Sequence, residues 1–192
     1  YDRCASVSSD EHEAMFQALD YLTGLGHRKI GFLGGKRGIM STDIKLKALD
    51  EAKSSFDYEM REEWIKLSSY TYQGGVNAMN ELLKEKELPT AIISINDEVA
   101  AGVINTCISK GIKVPGDFSV LGFDDSSIST ITMPGITTLA HPYEELGSIA
   151  VNFLNNMINE KPLKDVTNIS LKMSLVERES CAAPRRSIRS WK

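Results

Sequence analysis

Residues 91–125 read AIISINDEVAAGVINTCISKGIKVPGDFSVLGFDD. Ala91 to Ile95 is a nearly all-apolar run, too short for a helix and bounded by polar residues. Val99, Val103, Ile104 and Cys107 then recur at helical spacing, and Gly111 closes that helix. A second apolar run, Phe118 to Phe123, follows. A half-exposed antiparallel strand would alternate apolar with polar residues. Continuously apolar strands on either side of a helix indicate a parallel sheet covered on both faces.

The unit recurs on the N-terminal side. Ala14, Met15, Ala18, Leu19, Leu22 and Leu25 mark a helix, with Asp10 and Glu13 as its capping pair and Gly26 as its stop. The short strand Ile30–Leu33 follows, then a helix from about Thr42 to Phe56 and a strand over Trp64–Leu67. Another helix carries Val76, Met79, Leu82 and Leu83. Strict alternation of this kind predicts an α/β fold, a doubly wound, Rossmann-like parallel sheet. The pattern changes after Pro134. Ile136–Leu139 is extended, Tyr143–Asn159 is a strongly amphipathic helix, and Ile169, Leu171, Met173 and Leu175 alternate as one half-buried strand. These last two elements need a second sheet, and the chain holds too little to build one.

Glycines cluster in the stretch GLGHRKIGFLGGKRG, residues 24–38, which invites a nucleotide reading. Gly24 and Gly26 follow a helix and precede a strand, the reverse of a dinucleotide fingerprint. Gly34, Gly35 and Gly38 do follow a strand but miss G-x-G-x-x-G, and a Walker loop would need Gly at Ile30 and Ser or Thr at Arg37. Ligands of open parallel sheets nevertheless sit beyond the carboxyl ends of the strands. The loops there carry Lys36, Lys45, Asn96, Asp97, Asp124 and Asp125, amide and charged groups suited to a polyhydroxyl ligand. Asp97 also reads as the N-cap of the Val99 helix.

Totals restrict the function further. With 42% hydrophobic and 25% charged residues, the 192-residue chain can bury a core. The net charge is −4, and Arg185, Arg186, Arg189 and Lys192 concentrate positive charge in a tail expected to be disordered, so the body is more acidic still. That disfavours nucleic-acid binding by this part of the protein. Cys4, Cys107 and Cys181 are far apart, have no metal spacing with His12, His27 or His141, and suggest a reducing, cytoplasmic compartment. No run approaches membrane-spanning length, no catalytic Ser/His/Asp set or metal cluster stands out, and no cofactor is called for. The first residue is not Met, which suggests a piece of a longer protein.

Four stretches together resemble the lactose/galactose/purine repressor family of bacterial transcription regulators: ALDYLTGLGHRKIGFLGG, the PTAIISIND…LGFDD segment, MPGITTLAHPYEELGSIAVNFL and LVERES. The likeness runs from about Val7 to Ser180. It implies a core of two Rossmann-like subdomains resembling periplasmic sugar-binding proteins, with an effector in the cleft between them. Residues 10–141 would be the C-terminal subdomain, and 1–9 with 142–184 remnants of the N-terminal one. DNA would be contacted only through a helix-turn-helix headpiece absent from this chain. Carried over position by position, the effector contacts are Lys45, Tyr70, Asn96, Asp124 and His141, with Tyr143 as a stacking face. Family members usually have Arg where Lys45 stands, and Ala48-Leu49 replaces a Gly-aromatic pair. The resemblance also implies a homodimer through the helix Glu98–Lys110 and the segment Ser127–Pro134, using Val99, Val103, Ile128, Ile131 and Met133. The reading is a ligand-responsive transcription regulator binding a sugar or related metabolite, not an enzyme. The alternatives are a sugar-binding protein of a transport system and a nucleotide-dependent enzyme.

Overall fold

Strands buried on both faces demand two helical layers, and the computed structural model, which describes residues 5–159 and 168–185, has both. In chain order the elements are β1 (Ser6–Ser9), α1 (Glu11–Gly24), β2 (Ile30–Leu33), α2 (Met40–Glu51), β3 (Ile65–Lys66), α3 (Tyr72–Leu82), β4 (Ala91–Ser94) and α4 (Asp97–Ser109). They continue with β5 (Ser119–Asp124), α5 (Ser127–Ile131), β6 (Thr137–Ala140), α6 (Tyr143–Ile158), β7 (Asn168–Leu171) and β8 (Ser174–Val176). Tyr1–Cys4, residues 160–167 with Pro162, and the expected basic tail from Arg186 onward lie outside the described residues.

The six-stranded sheet has the order β3-β2-β4-β5-β6-β8, parallel except for β8. Every residue of β2 and β4 is buried, as continuous apolar runs require. From β2 the chain runs outward to β3, then returns to β4 and proceeds the other way. Right-handed crossovers therefore place α2 on one face, beside α1, and α3 with α4 on the opposite face. The carboxyl ends of β2 and β4 flank the point where the connections diverge, the usual ligand position of such sheets.

Two local features set this geometry. Asp10 caps α1 by accepting the Glu13 N–H at 2.9 Å, as the sequence predicts. The helices α3 and α4 cross with backbones nearly touching: a Cβ on Gly102 would lie 2.1 Å from the Tyr72 carbonyl, and one on Gly75 would lie 2.1 Å from that of Val99. The apolar positions that mark this helix in the sequence begin at Val76, one turn past its first residue.

Four expectations are corrected. The helix after β2 starts at Met40 and ends at Glu51, and a 3-10 turn carries the chain through Ser54. The strand expected over Trp64–Leu67 shortens to Ile65–Lys66, because Trp64 closes a 3-10 turn and drops its buried indole under the sheet. The single strand expected over 169–175 is two strands: Met173 is fully buried between them, so the chain changes sheets at that point. β7 pairs in parallel with β1, and β8 pairs antiparallel with β6. The segment 142–184 expected in the smaller unit is corrected in part, since residues 174–182 pack with the larger sheet. Ser180 locks this return by donating to the Val120 carbonyl at 2.5 Å and accepting the Thr137 N–H at 2.8 Å.

The β1–β7 pair is only two strands wide. α6 lies against β1, and none of its residues is buried. Val151, Leu154, Met157 and Ile158 are all more than half exposed, the unpartnered apolar face its amphipathic pattern foreshadowed.

Gly102→Ala is expected to destabilise the protein by about 1–3 kcal/mol, because overpacking at the helix crossing outweighs the better helix propensity of alanine. Urea unfolding monitored by circular dichroism measures the difference.

Candidate functional site

The carboxyl rim begins at the exit from β2. Gly34 and Gly35 have φ of +99° and +78°, and a Cβ on either would come within 2.5 Å of Ile95 or 2.4 Å of Thr42. The glycines make a tight exit, not a phosphate cradle. The loop delivers the chain to Ser41, Thr42 and Lys45 on α2. Thr42 Oγ1 accepts the Lys36 N–H at 3.2 Å and meets the Tyr70 hydroxyl at 2.5 Å.

Lys45 does not project into solvent. Its residue exposure is 1%, its ammonium donates to Glu11 Oε1 at 2.6 Å and Ser41 Oγ at 2.9 Å, and it sits 4.7 Å from the centre of the Phe123 ring. Desolvation pulls its pKa below the usual lysine value, and the Glu11 carboxylate works against that pull. Ser41 also donates to Glu11 Oε1, at 2.8 Å.

At the end of β5 the backbone turns through two residues with positive φ, Asp124 at 105° and Asp125 at 52°. Such angles are costly for residues with a Cβ and persist only where neighbours impose them. Asp125 is held by Arg178, whose Nη2 donates at 2.6 Å. Asp124 Oδ1 stands 3.2 Å from His141 Nε2, and His141 Nδ1 stands 2.7 Å from Ser9 Oγ on the small sheet. The Tyr143 ring lies 5.2 Å from that of His141, and the residue is 61% exposed.

The rim is anchored from beneath by Asp97, which is fully buried. Its Oδ1 accepts from the Thr138 hydroxyl at 2.7 Å, and its Oδ2 accepts the Ser126 N–H at 2.8 Å. A Cβ on Gly122 would meet Oδ1 at 2.2 Å, so only glycine fits there. The expected capping role falls one residue earlier. Asn96 accepts the Val99 N–H at 3.0 Å and donates to the Tyr70 carbonyl at 3.0 Å.

Of the six expected ligand residues, His141 alone lines the cleft; Asp124 and Tyr143 stand against His141, Lys45 lies behind Glu11, and Asn96 donates to the Tyr70 carbonyl at the mouth of β4. Sequence reasoning missed Glu11, Ser9 and Ser41. Glu11 reads locally as a first-turn helix acid, and nothing in its neighbourhood of the chain points to Lys45. These three residues line a cleft of about 800 Å³ between the two sheets, together with Ala5, Ser6, Ser8, Met40, Ile44, His141 and Asn168. Among the described residues no group of His, Cys, Asp and Glu is arranged to hold a metal. Burial pushes the Cys107 and Cys181 thiols up to about 12, so neither is a reactive thiolate.

The expected dimer residues divide. Val99 and Val103 are fully buried in the chain's own core, because their face of α4 packs inward, and they are not available to a partner. Ile131 and Met133 are 74% and 79% exposed, and Ile128 is half-buried.

Burial pushes the Asp97 carboxyl up to about 6 despite its hydrogen bonds. A raised carboxyl pKa means the folded state holds the proton more tightly than the unfolded chain. Stability should therefore fall by about 2–3 kcal/mol as pH rises from about 4 to about 6. Asp97→Asn should remove that slope, as read from urea midpoints across this window.

The profile of the periplasmic binding protein-like domain matches residues 19–181. The chain is 33% identical over 157 residues to catabolite control protein A of Priestia megaterium, covering 81% of this chain and 47% of that protein. It is 32% identical over 174 residues to the HTH-type transcriptional repressor PurR of Mannheimia succiniciproducens, covering 91% and 52%. The solved complex of the transcriptional regulator CelR with cellobiose superposes with a TM-score of 0.85 at 26% identity, covering 93% of this chain and 54% of that one. The chain thus spans about half the length of the curated relatives it matches. It belongs to the periplasmic binding protein-like domain family, on the branch of the LacI-type transcription regulators.

Proposed function

We propose that these 192 residues are part of the effector-binding core of a transcriptional regulator that responds to a sugar or related small metabolite. The observation that carries this reading is the polar set Ser9, Glu11, Ser41 and His141 lining a cleft of about 800 Å³, with Asp124 at hydrogen-bond distance from His141. The volume is within the range of small-molecule sites. The cellobiose in the solved CelR complex favours a sugar.

In this reading the six-stranded unit is the C-terminal subdomain, and β1, α6 and β7 belong to the N-terminal one. The His141–Ser9 contact already ties one to the other. A ligand bridging the two units binds their closed arrangement more tightly than the open one and shifts that balance. In the full-length protein the shift changes DNA affinity through a segment outside these residues. The chain itself catalyses nothing, and the whole protein works in the cytoplasm.

We also assign a homodimer to the exposed apolar surface of Ile131, Met133 and Ile108. Ile131→Asp with Met133→Asp should convert a dimer to a monomer in sedimentation analysis of the full-length protein. Asp124→Gly tests the cleft. Glycine accepts the positive φ, so the variant should fold, yet effector affinity should drop by roughly tenfold or more once the carboxylate is gone. Unchanged binding in calorimetry removes Asp124 from the site.

A further inference from the structure

The charge of the cleft wall is not what the sequence offers. Lys45, the cation behind Glu11, is closed off by Glu11 and Ser41 and pressed against Phe123. Pulling its ammonium toward a ligand would strand the Glu11 carboxylate, a change that buried ion pairs resist strongly. The cleft lining contains no Lys or Arg among the described residues. Lys36 and Arg37 are exposed on the loop after β2 but are not in that lining, and the Lys172 ammonium lies 3.1 Å from Glu13. The His141 ring does line it, but both ring nitrogens are taken, by Ser9 and by Asp124.

What remains open to a ligand is acceptor-rich. In the lining the Glu11 side chain keeps 18% of its surface accessible, and Asp124, behind His141 and outside the lining, keeps 36%. The serine hydroxyls of the wall can donate or accept. An anionic group entering here would lose its water and find the Glu11 carboxylate and no cation among the described lining residues in return. A hydroxyl or ammonium group would find partners.

We infer that the effector meets this wall with hydroxyl or amino groups and bears no phosphate or carboxylate there: the cleft takes an uncharged polyol or an amino sugar and rejects the phosphorylated and carboxylated forms of the same sugar. The inference rests on the reading of the cleft as the effector site. It differs from what an unpaired Arg or Lys at position 45 would give, since a free cation would welcome an anion.

Isothermal titration of the full-length protein tests it, with glucose, ribose, cellobiose and glucosamine set against glucose 6-phosphate, ribose 5-phosphate and glucuronate. The expected result is binding of at least one uncharged or amino member, with its anionic counterpart weaker by about tenfold or more. An anionic form that binds as tightly as its parent overturns the inference and leaves the sugar-responsive reading standing. Binding by no member overturns both. Glu11→Gln should raise the affinity ratio of phosphate to parent sugar about tenfold by freeing Lys45. An unchanged ratio in a variant with parent-like circular dichroism overturns the inference. The double variant Glu11→Gln/Lys45→Gln keeps the pair's net charge at zero and should leave the ratio where it was. A tenfold fall there means that Lys45 reaches the ligand, and the inference fails.

Discussion

A single buried carboxylate organises the rim. Asp97 begins α4, accepts from Ser126 at the start of α5 and from Thr138 in β6, and occupies the space above Gly122 in β5. Four elements are registered on one side chain. The two residues with positive φ, Asp124 and Asp125, lie between Gly122 and Ser126, so both ends of that costly turn are fixed from below. That anchor, the Arg178–Asp125 pair and the β5–β6 pairing together hold the Asp124 carboxylate at His141. Burying a carboxylate is expensive, and that cost pushes the Asp97 pKa up. The hydrogen bonds it makes offset part of it and give the sheet a rim of defined shape.

The sheet itself was legible because its physics is local. Apolar runs at 30–33 and 91–94 can only be strands covered on both faces, and the intervening helices announce themselves by period and by caps such as Asp10. The failures have equally local causes. Residues 169–175 alternate like one strand because both halves of a strand that changes sheets keep the same period, and a buried Met173 carries no mark of the switch. Val99 and Val103 are apolar whether they face a partner or their own core. The pattern cannot separate these cases, and Gly75 and Gly102 decided the matter by drawing α3 against that face.

The site was legible as a list but not as a circuit. Lys45, Asp124 and His141 could be placed on strand ends and helix starts from the sequence. Their partners come from far along the chain: Glu11 is 34 residues from Lys45, and Ser9 is 132 residues from His141. No periodicity spans such distances. As a result a lysine that reads as a free cation is an internal counter-ion, and its charge is cancelled by a residue that reads locally as a first-turn helix acid.

The small sheet imposes its own order of events. β1 and β7 pair Ser6 with Asn168, 162 residues apart, whereas β4 and β5 pair Ala91 with Ser119. Closing the longer loop costs more chain entropy, and no intermediate strand shares that cost. On a ribosome the β1–β7 pair can therefore form only once β7 has been made, later than the β4–β5 pair. The larger sheet can condense in the meantime from neighbours closer in sequence. The cleft wall that contributes Ser6, Ser8 and Ser9 consequently gains its Asn168 side after the parallel strands of the larger sheet have all been made.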